Sequence, residues 1–155
     1  MRDKRFVAEH RGGSLKKEQH QQLMQWGCNC AEHVLHLVGK KIDNQLIDAL
    51  TVAKEWIKGN ASVGDARNAS LAAHSVARES SNPISIAIAR SVGHAVATAH
   101  MADHSLGAAF YALKAVKSAG KSIEVEKNWQ NDQLPAQIKE FVINARKEKE
   151  KALKI

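Results

Sequence analysis

Cysteine, proline and aromatic residues are all scarce in this chain. The two cysteines, Cys28 and Cys30, stand one residue apart on an expected helix. Side chains at that spacing point about 200° from each other, so the pair can neither bridge nor share a metal on that helix. They read as small, reduced, buried residues, which suits a reducing compartment. The two prolines, Pro83 and Pro135, both fall where a helix is expected to start. The three tryptophans, Trp26, Trp56 and Trp129, lie on three separate helices and read as core anchors before a base-stacking platform. No apolar run is long enough to span a membrane. The opening MRDKRFVAEHRGG has basic residues but no apolar segment of the signal-peptide kind, which points to the cytoplasm. Strand-type alternation is absent, which excludes a sheet-based fold and leaves an all-α one.

With 44% hydrophobic and 25% charged residues, the composition is that of a globular protein. A length of 155 residues fits one domain able to bury a core, with 1–13 as an N-terminal arm and 147–155 as a frayed tail. The net charge of +7 suggests nucleic acid until it is divided along the chain. Residues 1–17 carry +4 and residues 139–155 carry +3, while 18–138 hold 11 Lys/Arg and 11 Asp/Glu. The basic character belongs to the two ends, where a solvated helix face is the plainer reading than phosphate binding.

The stretch that organises the rest is NPISIAIARSVGHAVATAHM, from Asn82 to Met101. Asn82 can cap and Pro83 fits the first helical position. Ile84, Ile88, Val92, Ala95, Val96 and Ala99 fill one arc; Ile86, Ala89, Gly93 and Ala97 cover much of the rest. A helix apolar almost all round is buried. The expected architecture is a compact bundle or array of six or seven helices around this central one, at about 83–101.

The first helix is expected from about Leu15 to Val38, with Ser14 as cap and Leu23, Trp26, Cys30, Val34 and Leu37 as its apolar stripe. A second spans roughly Asn44 to Lys58, capped by Asp43 and ended by Gly59, with Trp56 packing on the next turn. A third starts at Ser62, which has capping-box spacing to Asp65, and runs to about Ser80. The short link to the central helix makes those two antiparallel neighbours. A fifth runs from Asp103 or His104 to Gly120, with Asp103 as its cap. Ser122 caps a sixth, and Pro135 opens a seventh that frays beyond Arg146.

Chemistry-bearing patterns are thin. His100 and His104 are four apart, yet no His-Glu-x-x-His occurs, nor a Glu followed by His three later, and a cap at Asp103 would break their shared face. They read as junction residues, with no metal and no cofactor. Ser75, Ser91 and Ser105 lie near histidines but in no Gly-x-Ser-x-Gly elbow, and Gly12-Gly13 and Gly59 belong to no phosphate loop. No catalytic set emerges. Arg67, His74 and Arg78 share a face of the third helix, with Glu79 beside them. Arg90 and His94 share a face of the central helix. Packed antiparallel, these six would form a network that either fixes helix register or floors a site. Ala73-His74-Ser75-Val76-Ala77 also echoes Gly93-His94-Ala95-Val96-Ala97, so His74 and His94 are candidates for equivalent places in paired helices.

The strings RFVAEHRGG, VGDAR, AHSVARES and ARSVGHAVATAHMADHSLGAAFYALKA carry a resemblance. From Lys4 to about Ala145 the chain resembles the immunity proteins of bacterial polymorphic toxin systems, the small all-helical fifth-type-like family. The resemblance implies a cytosolic antidote that binds a toxin domain and blocks it, with no catalytic residues to carry over. Antidotes to nucleases are often acidic, whereas this chain is basic. Glu9, His10 and Arg11 on the arm, with His100, Asp103 and His104 at the junction, are the candidate partner-binding residues. The alternatives are a nucleic-acid-binding module using the basic ends and, behind it, a His/Asp metal-dependent hydrolase. A membrane partner is not expected, and the sequence leaves self-association open.

Overall fold

The computed structural model describes residues 3–39 and 41–153. Among them, seven α-helices follow one another: α1 (Lys17–Val34), α2 (Asn44–Ile57), α3 (Val63–Glu79), α4 (Pro83–Ala97), α5 (His104–Ser118), α6 (Ile123–Asp132) and α7 (Ala136–Leu153). The fold is all-α, with one isolated β-bridge between Ala8 and Leu15 among the described residues.

α4 is the centre, as its composition requires. The Asn82 side chain accepts from the backbone N–H groups of Ile84 and Ser85, and Pro83 takes the first turn. Ala87, Ile88, Ala89, Ser91, Val92, Gly93, Ala95, Val96 and Ala97 are all buried. α1, α2, α3 and α5 pack around it. The approach is close enough for hydroxyls to reach the neighbouring main chain: Ser70 Oγ donates to the Gly93 carbonyl at 2.9 Å, and Ser91 Oγ to the Ala108 carbonyl at 2.7 Å. α4 ends four residues earlier than the apolar pattern predicts. Thr98, Ala99 and His100 donate to Ala95, Val96 and Ala97, three residues back, and this tighter winding redirects the chain into α5.

α1 starts at Lys17, not Leu15, and Ser14 is not its cap. The backbone of Leu15 is engaged by the arm: its N–H donates to the Val7 carbonyl and its carbonyl accepts from Glu9. The Gln19 side chain instead accepts from the Lys16 N–H at 2.8 Å. The helix stops at Val34, and Leu35–Val38 continue as a 3-10 turn. Both cysteines are buried and free, because α1 is enclosed by α2, α4, α5 and α7. Burial pushes the Cys28 thiol up to about 12.

The arm folds as two 3-10 turns, Lys4–Phe6 and Glu9–Arg11. Phe6 is 2% exposed and meets Phe141 of α7 edge-on at 5.4 Å. Gly13 is obligatory there, since a Cβ would lie 2.0 Å from the Val7 carbonyl oxygen.

Pro135 sits just outside α7, its carbonyl accepting from Ile138 and Lys139. α7 continues to Leu153, past the point where fraying is expected, and Glu150 pairs with Lys127 of α6. Its buried Arg146 donates to Asn131 Oδ1 at 2.9 Å and to Gln130 Oε1. Gln130, wholly buried, also donates to the Ala109 carbonyl and accepts from Trp26 Nε1 through its own carbonyl. Trp26 is fully buried in the core, and Trp56 packs half-buried against that core. Trp56 and Trp129 both meet histidine rings, Trp56 that of His20 on α1 and Trp129 that of His33. Among the described residues no helix is long and apolar enough to cross a membrane.

Val92 is fully buried on α4. Val92→Asp places an unpaired charge there and should cost on the order of 3–5 kcal/mol. Thermal melting should show a drop of roughly 10 °C or more. A parental melting temperature would mean that α4 is not the core.

Candidate functional site

Two segments singled out separately in the sequence come together as one groove of about 510 Å³. The arm supplies one wall with Glu9, His10 and Arg11, and the α4–α5 junction supplies the other with Ala99, His100 and Ala102. Phe6, Leu15, Ala99 and Ala102 are its buried apolar residues. Trp56 and Val63 add apolar surface, Val63 at 42% exposure. Lys16 and Lys17, at the start of α1, stand on the rim. His20 lies between the walls, and its Nε2 donates to the Thr98 carbonyl at 2.6 Å. Burial holds its pKa below the usual histidine range; the Thr98 bond opposes this, and the charges of Arg11 and His10 add to the lowering. His20, Trp56, Lys16 and Lys17 escape sequence reading because they are neighbours only after folding.

The other two junction residues go elsewhere. Asp103 occupies the cap position of α5, but its side chain makes no capping bond, because its backbone is already helical there. His104 Nδ1 lies 3.0 Å from His94 Nδ1 and belongs to a second feature behind the groove.

That feature is a file of imidazoles. Arg90 Nη1 donates to His74 Nδ1 at 2.7 Å, so His74 is neutral in this arrangement. The His74 ring meets His94 edge-on at 5.3 Å, His94 contacts His104 at 5.1 Å, and His104 contacts His100 at 5.3 Å. Tyr111 stacks on His94 at 5.2 Å. His100 thus belongs both to the file and to the groove. Of the six residues expected to form a network, the structure joins His74, Arg90 and His94. Arg67 and Glu79 are exposed and outside it. Arg78 is exposed and donates to Ser75 Oγ at 2.9 Å, though its charge reaches His74. Glu79 follows Arg78 by about 100° around the helix, which carries it to solvent.

Arginine charge lies beside the rings of His74 and His94, and protonation of these two is resisted. Burial, then the charges of His104, His74 and Arg90, push the His94 pKa down to about 4. Burial and the charges of Arg90, Arg78 and His104 lower that of His74. Two glycines make room for the rings. A Cβ on Gly93 would lie 2.7 Å from His74, and one on Gly107 would lie 2.7 Å from His94 Nδ1 and 2.9 Å from its Cγ. Their signal was legible: Gly93 and Gly107 are helical glycines with no turn to make. The break at 98–103 keeps His100 and His104 off one helical face. Among the described residues no three His, Cys, Asp or Glu side chains are grouped to hold a metal ion.

An all-helical protein with a basic groove beside an imidazole file is the class these observations define. The chain belongs to the family described as Imm-5 like putative immunity protein, whose model matches residues 13–137. That family assignment supports an immunity role. The match is narrower than the resemblance read from Lys4 to Ala145, and it leaves Glu9, His10 and Arg11 outside. No curated protein and no solved structure matches the chain.

Gly107→Ala would ordinarily favour a helix by about 1 kcal/mol. Here overpacking against the root of His94 should win, for a net loss of about 1–2 kcal/mol in denaturant titration. His94 binds its proton less readily folded than unfolded, where the usual value is near 6.5. The unfolded state therefore takes up more protons between pH 6.5 and about 4, and stability must fall as pH falls through that window. Melting curves from pH 7.5 to 4.5 should show this decline, and His94→Gln should flatten it. An unchanged slope would remove His94 as its source.

Proposed function

We propose that this protein is a cytoplasmic bacterial antidote, a single domain that binds its cognate toxin stoichiometrically and blocks it without chemistry of its own. The observation that carries the reading is the groove, where the arm and the α4–α5 junction, about ninety residues apart in sequence, build one surface. The contact residues are Glu9, His10, Arg11 and His100. Asp103 and His104 act behind them, shaping the junction. A stable protein interface buries on the order of 1,600 Å² in total, more than a groove of this size supplies. The exposed outer face of the arm and the start of α1 would complete it.

The family match stops at residue 13, so one wall of the groove lies beyond the matched scaffold. This suits an arm that distinguishes one toxin from another. The imidazole file has the structural role in this reading: it fills the space between α3, α4 and α5 and leaves the junction in one shape.

Co-expression with the toxin encoded beside it should rescue cells, and the purified pair should form a one-to-one complex in sedimentation. Arg11→Glu, with an unchanged melting curve, should weaken the complex at least tenfold, because Arg11 is exposed and outside the core. Protection at far below one copy per toxin would point to catalysis and defeat the reading.

A further inference from the structure

We infer that the groove receives an acidic segment of the partner, one that carries an aliphatic or aromatic side chain for the floor and carboxylates for the rim. The identity of the partner rests on the antidote reading; the chemistry of the segment rests on the groove itself.

The first observation is unbalanced charge. Arg11, Lys16 and Lys17 line the groove together with a single acid, Glu9. Elsewhere a few cations are paired: Arg5 with Asp3 and Glu148, Lys54 with Glu32, Lys58 with Glu55, and Lys127 with Glu150. Among the described residues, none of the three groove cations has an ion-pair partner.

The second observation is independent of the groove's contents. Lys16 and Lys17 occupy the cap and first positions of an 18-residue helix. That is the positive end of the helix dipole, where cations are disfavoured and acids favoured. α3 and α6 follow the rule, with Asp65 in the first turn of one and Glu124 and Glu126 in that of the other. α1 breaks it twice, with Glu18 the lone acid in its first turn. A carboxylate laid across the rim would relieve both the dipole conflict and the repulsion among the three cations. Local rules broken without a compensating gain inside the fold are expected at functional positions.

The third observation chooses among anions. The floor is apolar, and Trp56 also lines the groove. A nucleic acid needs a row of cations along its backbone, whereas residues 18–138 are neutral overall and the groove is short. A peptide with mixed acidic and apolar side chains matches charge and floor together.

The test uses the intact protein and a synthetic heptapeptide of alternating Glu and Asp with Leu and Phe at its centre. Its comparators are the same peptide with Lys in place of each acid and a 20-nucleotide single-stranded DNA. Titration is followed by tryptophan fluorescence and by calorimetry at two salt concentrations. The acidic peptide should bind and the basic one should not, and binding should weaken about tenfold in the higher salt. Lys16→Glu with Lys17→Glu should abolish peptide binding, while Lys121→Glu, remote from the groove, should not. The same double substitution should raise the melting temperature of the free protein by roughly 2–4 °C, since it repairs the helix start. No acidic-peptide binding at millimolar concentration, or equal binding by the double variant, overturns the inference and leaves the antidote reading to its own rescue assay. Tighter binding of the DNA than of the peptide overturns it in favour of a nucleic-acid partner. A double variant that melts lower than the parent removes the dipole argument.

Discussion

The distance between α4 and its two flanking helices governs the rest of the structure. Hydroxyls of Ser70 and Ser91 reach main-chain carbonyls across the α3–α4 and α4–α5 contacts. Such contacts are possible only where small residues let backbones approach. Ala87, Ala89, Gly93, Ala95 and Ala97 on α4 answer Ala108, Ala109, Ala112 and Ala115 on α5. A core this close leaves little room for aromatic rings, which is why the chain has few. Between α3, α4 and α5, the rings of His74 and His94 occupy notches that Gly93 and Gly107 leave open. The imidazole file is thus a product of helix spacing as much as of histidine placement.

Local signals carried the helices well because caps are local chemistry. Asp43, Ser62, Asn82 and Ser122 each accept the backbone N–H bonds that their spacing predicts. Reading failed where a distant segment competes for the backbone. Leu15 has the pattern of a helix start, but Val7 and Glu9 hold it in an extended bridge. Lys147–Lys151 has no apolar face of its own, yet the helix persists because Glu148 and Glu150 pair with Arg5 and Lys127. The candidate site was legible only in halves. The resemblance and their places at edges of the bundle singled out Glu9–Arg11 and His100 separately, but nothing in a one-dimensional pattern says that two edges share a groove. The same limit separated Glu79 from its expected network: a sequence neighbour on a helix faces a different way.

Electrostatics gives the molecule two contrasting regions. In the imidazole file, burial and neighbouring positive charge hold the pKa values of His94 and His74 below the usual histidine range. At the groove, the cations are exposed. His100 belongs to both, so the imidazole file shapes one wall of the groove. The excess positive charge at the chain's ends is likewise divided by the fold. Arg5 is absorbed by Asp3 and Glu148, while Arg11, Lys16 and Lys17 remain available to something outside.

The arm is held in place by the far end of the chain. Phe6 lies against Phe141, and Arg5 against Glu148. The arm precedes the seven helices, and the helix that secures it is the seventh. The central helices hold their contacts with one another without either, whereas the wall bearing Arg11 has no support until α7 has docked. A chain cut ahead of α7 would retain most of its helices while leaving that wall unanchored.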